Sequence, residues 1–350
     1  MDTSTSLALL MRERRLADSD LSGVDLSGKD LSNCRFDNVR MLDANLCGSN
    51  LAGTFFQNCA LGGARLAQAN LNCSQFVQVD MQGAVLDAVS AEEVSWSGVN
   101  LTRAHAHGSN FSQSLFDDCI WANADFASAK LFKVSFDKCV LPNANLSGAD
   151  LTRWTVMDTD LTTVNFSGAK LLQAYLTGCN LQKQVFTGCD LTMTIFNNAK
   201  LQFADFSKLA LDRTSLMGAQ LNNAKLAHVS GTYTALLGAN LCHADLSGAM
   251  FEMADASDAD LTDAACRGSR WNKCVLVRLK AARAGFVGAS LTYCDLSHAD
   301  LSAADFSRAD LSGANLHAIE DSRTLWDNAK RESVRGTDAV LARAERWPSA

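Results

Sequence analysis

From Leu21 to Leu316 an apolar residue recurs at every fifth position, as in Leu21, Leu26, Leu31, Phe36, Met41, Leu46, Leu51 and Phe56. The 60 centres of this register include 34 Leu and 14 Phe, a period that is neither the 3.6 of a helix nor the 2 of an ordinary strand. Two residues before each centre stands a small side chain, as at Ala44, Ala64, Ala144, Ala239 and Ala304, and between the two lies a polar one, most often Asp or Asn. Ser or Thr follows the centre, and most of the 22 glycines come one place later, where a tight turn demands positive φ. Every five residues therefore predict two inward side chains, polar outward ones and one turn.

Runs such as Ala144-Asn145-Leu146-Ser147-Gly148 and Ala244-Asp245-Leu246-Ser247-Gly248 resemble the pentapeptide-repeat proteins, and the resemblance covers most of the chain. It implies an all-β solenoid, a right-handed quadrilateral β-helix in which four pentapeptides make one 20-residue coil. The residues support that coil independently. Sorted modulo 20, Phe36, Phe56, Phe76, Phe116, Phe136 and Phe196 share one side, and Phe126, Phe166, Phe186, Phe206, Phe286 and Phe306 share another. About fifteen coils are expected, with short terminal α-helices, and at ~4.8 Å per layer they make a rod of roughly 70 Å.

Solenoid ends expose backbone and need covering. Residues 1–18 are read as an N-terminal helical cap, with the helix over 4–16. Residues 19–318 form the repeat, and 319–350 a C-terminal helical cap or docking segment. The second helix is expected over 337–347, with Thr337 as N-cap and Val340, Leu341, Ala344 and Trp347 on its apolar face.

The formal charge of −7 argues against a generally basic nucleic-acid binder. No run of ~18 apolar residues is present, so membrane insertion is not expected, and the reading is cytoplasmic or secreted by a signal-peptide-independent machine. Cys34, Cys59, Cys119, Cys139, Cys179, Cys189, Cys274 and Cys294 fall in the small inward slot and are expected to be structural free thiols in a reducing compartment. His105, His107 and Asp125 do not complete a metal ligand set, and Cys242-His243 lacks an orienting third group. No cofactor or metal is expected, and no enzyme activity.

Breaks in the repeat mark where function is sought. Met157, Tyr175, Ile195, Met217 and Leu237 flank centres of one phase modulo 20, so they are expected to stack as an outward apolar stripe of the kind that marks a protein interface. Residues 243–263 carry acids without bases, and 264–286 bases without acids; Arg270, Trp271 and Lys273 are expected to form a docking patch there, against mutual neutralisation of the two belts. The function expected is a protein-protein interaction scaffold with a protein partner or a second copy of itself. The tail over 335–347 resembles pentapeptide proteins that accompany type VI secretion, which implies an adaptor or chaperone for secretion cargo or a spike component. Other members of the family imply the alternative, a DNA mimic that binds gyrase. A mimic needs about one charge per 1.7 Å, more than −7 provides over such a rod.

Overall fold

The computed structural model describes residues 3–345. Contacts divide the chain into two compact units, Met1–Tyr175 and Leu176–Ala350. Each is a β-solenoid of stacked coils in which residue i pairs in parallel with residue i+20. In the first unit, α1 (Thr3–Glu13) precedes an eight-stranded parallel sheet in sequence order. Its strands are β1 (Arg15–Ala17), β2 (Arg35–Asp37), β3 (Phe55–Gln57), β4 (Gln75–Val77), β5 (Ser95–Ser97), β6 (Leu115–Asp117), β7 (Ser135–Asp137) and β8 (Thr155–Val156). The second unit holds β9 (Ser230–Thr232), β10 (Met250–Glu252) and β11 (Arg270–Asn272), paired in parallel with β10 central, and ends in α2 (Ala339–Glu345). On the other sides of the coils the rungs are single bridges, such as Asp25↔Asn45 in the first unit and Lys280↔Asp300 in the second.

The pentapeptide produces this geometry by dividing its work among slots. The centre is buried, with Leu21, Phe36, Leu46 and Leu311 all fully inside. The polar residue before it closes the corner: Asp25 Oδ1 accepts the Ser27 N–H at 2.9 Å, and Asp245 Oδ1 that of Ser247 at 2.9 Å. Two places after the centre the backbone is left-handed, φ 67° at Gly23 and 64° at Gly148, and the N–H reaches the next coil, as from Gly23 to the Leu42 carbonyl at 2.8 Å. Stacked coils place like on like, so Phe36, Phe56, Phe76 and Trp96 form a ladder of nearly parallel rings with centroids 4.7, 4.8 and 4.3 Å apart.

The ends differ from expectation. The first helix stops at Glu13 because Arg14 turns left-handed (φ 53°) and Arg15 opens β1; Leu10 on that helix is fully buried. At the other end the expected fifteen coils are slightly off, because the ladder runs past residue 318 to the bridge Asn315↔Arg335. Its last centres are Asp321, Trp326 and Arg331, two of them charged and exposed, so a polar coil closes the stack. Helix α2 buries no residue: Val340 is 81% exposed and Leu341 also faces solvent, so no apolar face of this helix covers the end. Trp347 lies outside the described residues. Asp338, not Thr337, is the N-cap, accepting the N–H groups of Val340 at 2.8 Å and Leu341 at 3.1 Å, which hold its carboxyl below the ordinary range. The Thr337 hydroxyl instead accepts the Ala318 N–H at 3.2 Å. Among the described residues no helix is long and apolar enough to cross a membrane.

Candidate functional site

The expected stripe falls on both units. Met157 and Tyr175 belong to the first and are 54% and 44% exposed. Ile195, Met217 and Leu237 belong to the second, Ile195 and Leu237 half-buried and Met217 exposed, on segments in register through the bridges Ile195↔Ser215 and Ser215↔Ala235.

Within the second unit these three residues border a feature the repeat reading passed over. The left-handed corner slots of six successive coils hold Met193, Arg213, Tyr233, Met253, Lys273 and Tyr293, with φ between 52° and 59°. Each donates its backbone N–H to the coil above, Met193 to the Asp212 carbonyl at 2.9 Å and Tyr293 to that of Ser312 at 3.0 Å. The column rises by ~4.8 Å per residue. Tyr233 is 54% exposed and Tyr293 68%. Elsewhere Gly is the commonest occupant of such corners and Asn, Asp, Arg, Lys and Gln fill many of the rest, with Phe203 the other large apolar side chain among the described residues; an L side chain there costs ~1 kcal/mol. A bulky residue two places after a centre, recurring at intervals of 20, was the legible signal. The ring of Tyr293 lies over Gly313, where an added Cβ would sit 2.6 Å from Cδ1 and Cε1.

The basic part of the expected patch is partly kept. Arg270 and Lys273 are exposed and make no ion pair among the described residues, and Lys273 belongs to the corner column. Trp271 requires a correction: it is 1% exposed, its ring packed at a tilt of 35° against Phe251 with centroids 4.8 Å apart, and its indole N–H is donated to the Ser269 hydroxyl at 2.9 Å. As a repeat centre it belongs to the core and cannot touch a partner. Beside the column, Asp212, Thr232, Glu252, Arg270 and Asn272 line an open cleft of about 370 Å³. Part of the acidic belt is neutralised in place. Arg278 grips Asp258 through two contacts of 2.6 and 2.7 Å, and Arg283 grips Asp263 at 2.7 and 2.6 Å, holding both carboxyls below their usual range.

The residues considered for chemistry are not assembled for it. His105 and His107 are both exposed and join no three-donor cluster among the described residues. Burial, then Asp260, pushes the Cys242 thiol up to about 11, away from a nucleophilic thiolate at neutral pH. The twelve cysteines are free. Cys119 and Cys294 are pushed further up, each by its neighbouring thiol, Cys139 and Cys274, and by burial. Among the described residues one cluster of three His, Cys or acidic donors forms, His298, His317 and Glu345, and it was not anticipated. The histidines sit in consecutive coils, but nothing in the repeat says where the chain brings Glu345 after leaving the ladder.

No curated protein is significantly similar to the chain. Similar solved structures include full-length QnrB1, a plasmid-mediated fluoroquinolone resistance protein, at 20% identity over 73% of this chain and 96% of that one, TM-score 0.29. HetL, a pentapeptide repeat protein involved in heterocyst differentiation regulation from the cyanobacterium Nostoc, is 20% identical over 94% of both chains, TM-score 0.18. A pentapeptide repeat protein of the Arabidopsis thaliana thylakoid lumen is 24% identical over 38% of this chain and 66% of that one, TM-score 0.19. The family model for pentapeptide repeats (8 copies) matches residues 15–53, 49–87, 80–118, 232–263 and 284–318. A second model, the pentapeptide repeat region, matches 129–206 and 159–233. These matches take in more than half of the sequence, and the chain belongs to the pentapeptide-repeat family.

Proposed function

We propose that the protein is a non-enzymatic scaffold for protein-protein interaction, and that its docking surface is the corner column of the second unit with the side next to it. The observation that carries this reading is the placing of Tyr233, Met253 and Tyr293, with half-buried Met193, in left-handed corners, where the three add exposed apolar area at a conformational cost. Tyrosine and methionine are favoured at interface centres, and Arg213, Lys273 and Arg270 supply the charged border. Ile195, Met217 and Leu237 widen the surface, and Met157 with Tyr175 offers a separate apolar patch on the first unit. The shallow cleft beside Arg270 is polar and open, unlike the concave apolar sites that hold small molecules.

A duplex mimic is the weaker reading, because the Arg278–Asp258 and Arg283–Asp263 pairs interrupt any anionic face on the second unit. The type VI reading rests on the tail alone. The test is affinity purification from the native host with wild-type chain and with Tyr233→Ser/Tyr293→Ser. Loss of a stoichiometric partner in a variant whose circular dichroism and melting are unchanged supports the proposal. Retention of every partner at wild-type yield overturns the placement.

A further inference from the structure

The cleft between α2 and the flank of the last coils, about 410 Å³, is lined by His298, His317, Arg335, Asp338, Leu341 and Glu345. Three donors converge in it. His317 Nε2 lies 3.1 Å from Glu345 Oε2, His298 Nε2 lies 3.3 Å from Glu345 Oε1, and the three ligand atoms all fall within 4.8 Å of one another. The imidazoles meet edge to face at 5.4 Å, and His317 is 4% exposed. The geometry points to a site for one divalent transition-metal ion of the zinc class, held by Nε2 of His298, Nε2 of His317 and the Glu345 carboxylate, which fastens α2 to the solenoid.

The ligand chemistry suits that ion. Two imidazoles and a carboxylate are a known zinc set, with the fourth position left to water. Glu345 stands in the last turn of α2, where the helix dipole disfavours a carboxylate and a bound cation offsets it. Because α2 buries no residue, its attachment depends on such polar contacts.

Two adjustments oppose binding. Zinc at ~2.0–2.1 Å from each nitrogen draws tetrahedral donors to roughly 3.3 Å apart, and the part-exposed side chains of His298 and Glu345 are free to close that gap. His317 Nδ1 accepts the Asp338 N–H at 3.1 Å, so Nε2 carries the ring proton; metal binding at Nε2 moves that proton to Nδ1, which can then no longer accept, and this bond is broken. A neutral hydrogen bond is worth up to about tenfold in an equilibrium constant, which a zinc affinity of ~1 μM outweighs. The ion prevails. Arg335 works against a cation and Asp338 for it, and the two oppose each other.

The test is titration of metal-stripped full-length chain with Co²⁺ and then Zn²⁺, read by absorbance and calorimetry. Expected are one equivalent bound, tetrahedral visible bands without thiolate charge transfer, and a Zn²⁺ Kd of ~1 μM or tighter. His298→Ala and Glu345→Gln are each expected to weaken binding at least about tenfold, while His105→Ala/His107→Ala leaves it unchanged. Amide exchange over Ala339–Glu345 is expected to speed up when EDTA removes the ion. The proposal is overturned if the wild type binds no Zn²⁺ at ~100 μM, if both site variants bind as tightly as wild type, or if the Co²⁺ spectrum carries thiolate bands.

Discussion

Phe56→Ala is a sharp test of the ladder core. Phe56 is fully buried, its ring held between Phe36 at 4.7 Å and Phe76 at 4.8 Å, with interplanar angles of 12° and 6°. Truncation leaves a void that the coils cannot close, because the rungs Arg35↔Phe55 and Phe55↔Gln75 fix their spacing. The expected loss is about 3–5 kcal/mol, of which each lost ring stack accounts for ~0.5–1.5 kcal/mol. In a one-dimensional solenoid the loss appears as local opening, so exchange in β2, β3 and β4 speeds up by roughly two to nearly four powers of ten. The assay is native-state amide exchange, for instance at the Phe55 N–H bonded to the Cys34 carbonyl at 2.9 Å. The exposed Gln75, changed to Ala, serves as control and is expected to cost within ~0.5 kcal/mol. Equal effects of the two changes would refute the assignment of inward and outward slots.

Gly313→Ala is expected to cost ~1–2 kcal/mol in melting experiments, because φ there is 72°, and to weaken partner binding by driving the Tyr293 ring off its seat. Asp30 is held at about 2 by hydrogen bonds from Ser32, side chain and backbone, and then by Arg14. Its folded pKa lies below the unfolded ~3.9, so its stabilisation is complete above pH ~4 and lost as the pH falls toward 2. Asp30→Asn should therefore lower the urea midpoint at pH 7, where that stabilisation is present, and change little near pH 2, so that the acid side of the profile flattens. In a thiol-reagent time course, exposed Cys73 should react first, while buried Cys119, Cys139, Cys266, Cys274 and Cys294 wait for unfolding.

The period of five made most of the interior legible, because a slot rule that holds at Leu21 holds again at Leu311 and stacking by 20 aligns the Phe ladders. It also sufficed to read Trp271, which stands at a centre; giving it a surface role set local irregularity above register. Tyr233 and Tyr293 were legible as large aromatic side chains in a corner that elsewhere holds Gly or a polar residue in most coils, but only when compared coil by coil. The C-terminal end was not. Past Leu316 the centres become Asp321 and Arg331, the slot rule stops predicting burial, and the place of α2 depends on tertiary contacts of His317 and Glu345 that no periodicity encodes. Trp154 illustrates a different limit. A large residue in a small slot predicts distortion, and the chain buries it completely, with its indole N–H, like those of Trp96 and Trp121, unpaired among the described residues. Each such donor costs ~1–3 kcal/mol, which the surrounding aromatic packing offsets.

Oxidative footprinting of the methionines, with and without the captured partner, tests the placement of the interface most directly. In the free chain Met157, Met217 and Met253 are exposed and should oxidise readily, while Met41 and Met81 are fully buried and should not. The account predicts that the partner protects Met217 and Met253 on the second unit. Unchanged oxidation of both in a saturated complex, with protection confined to Met157, would contradict it.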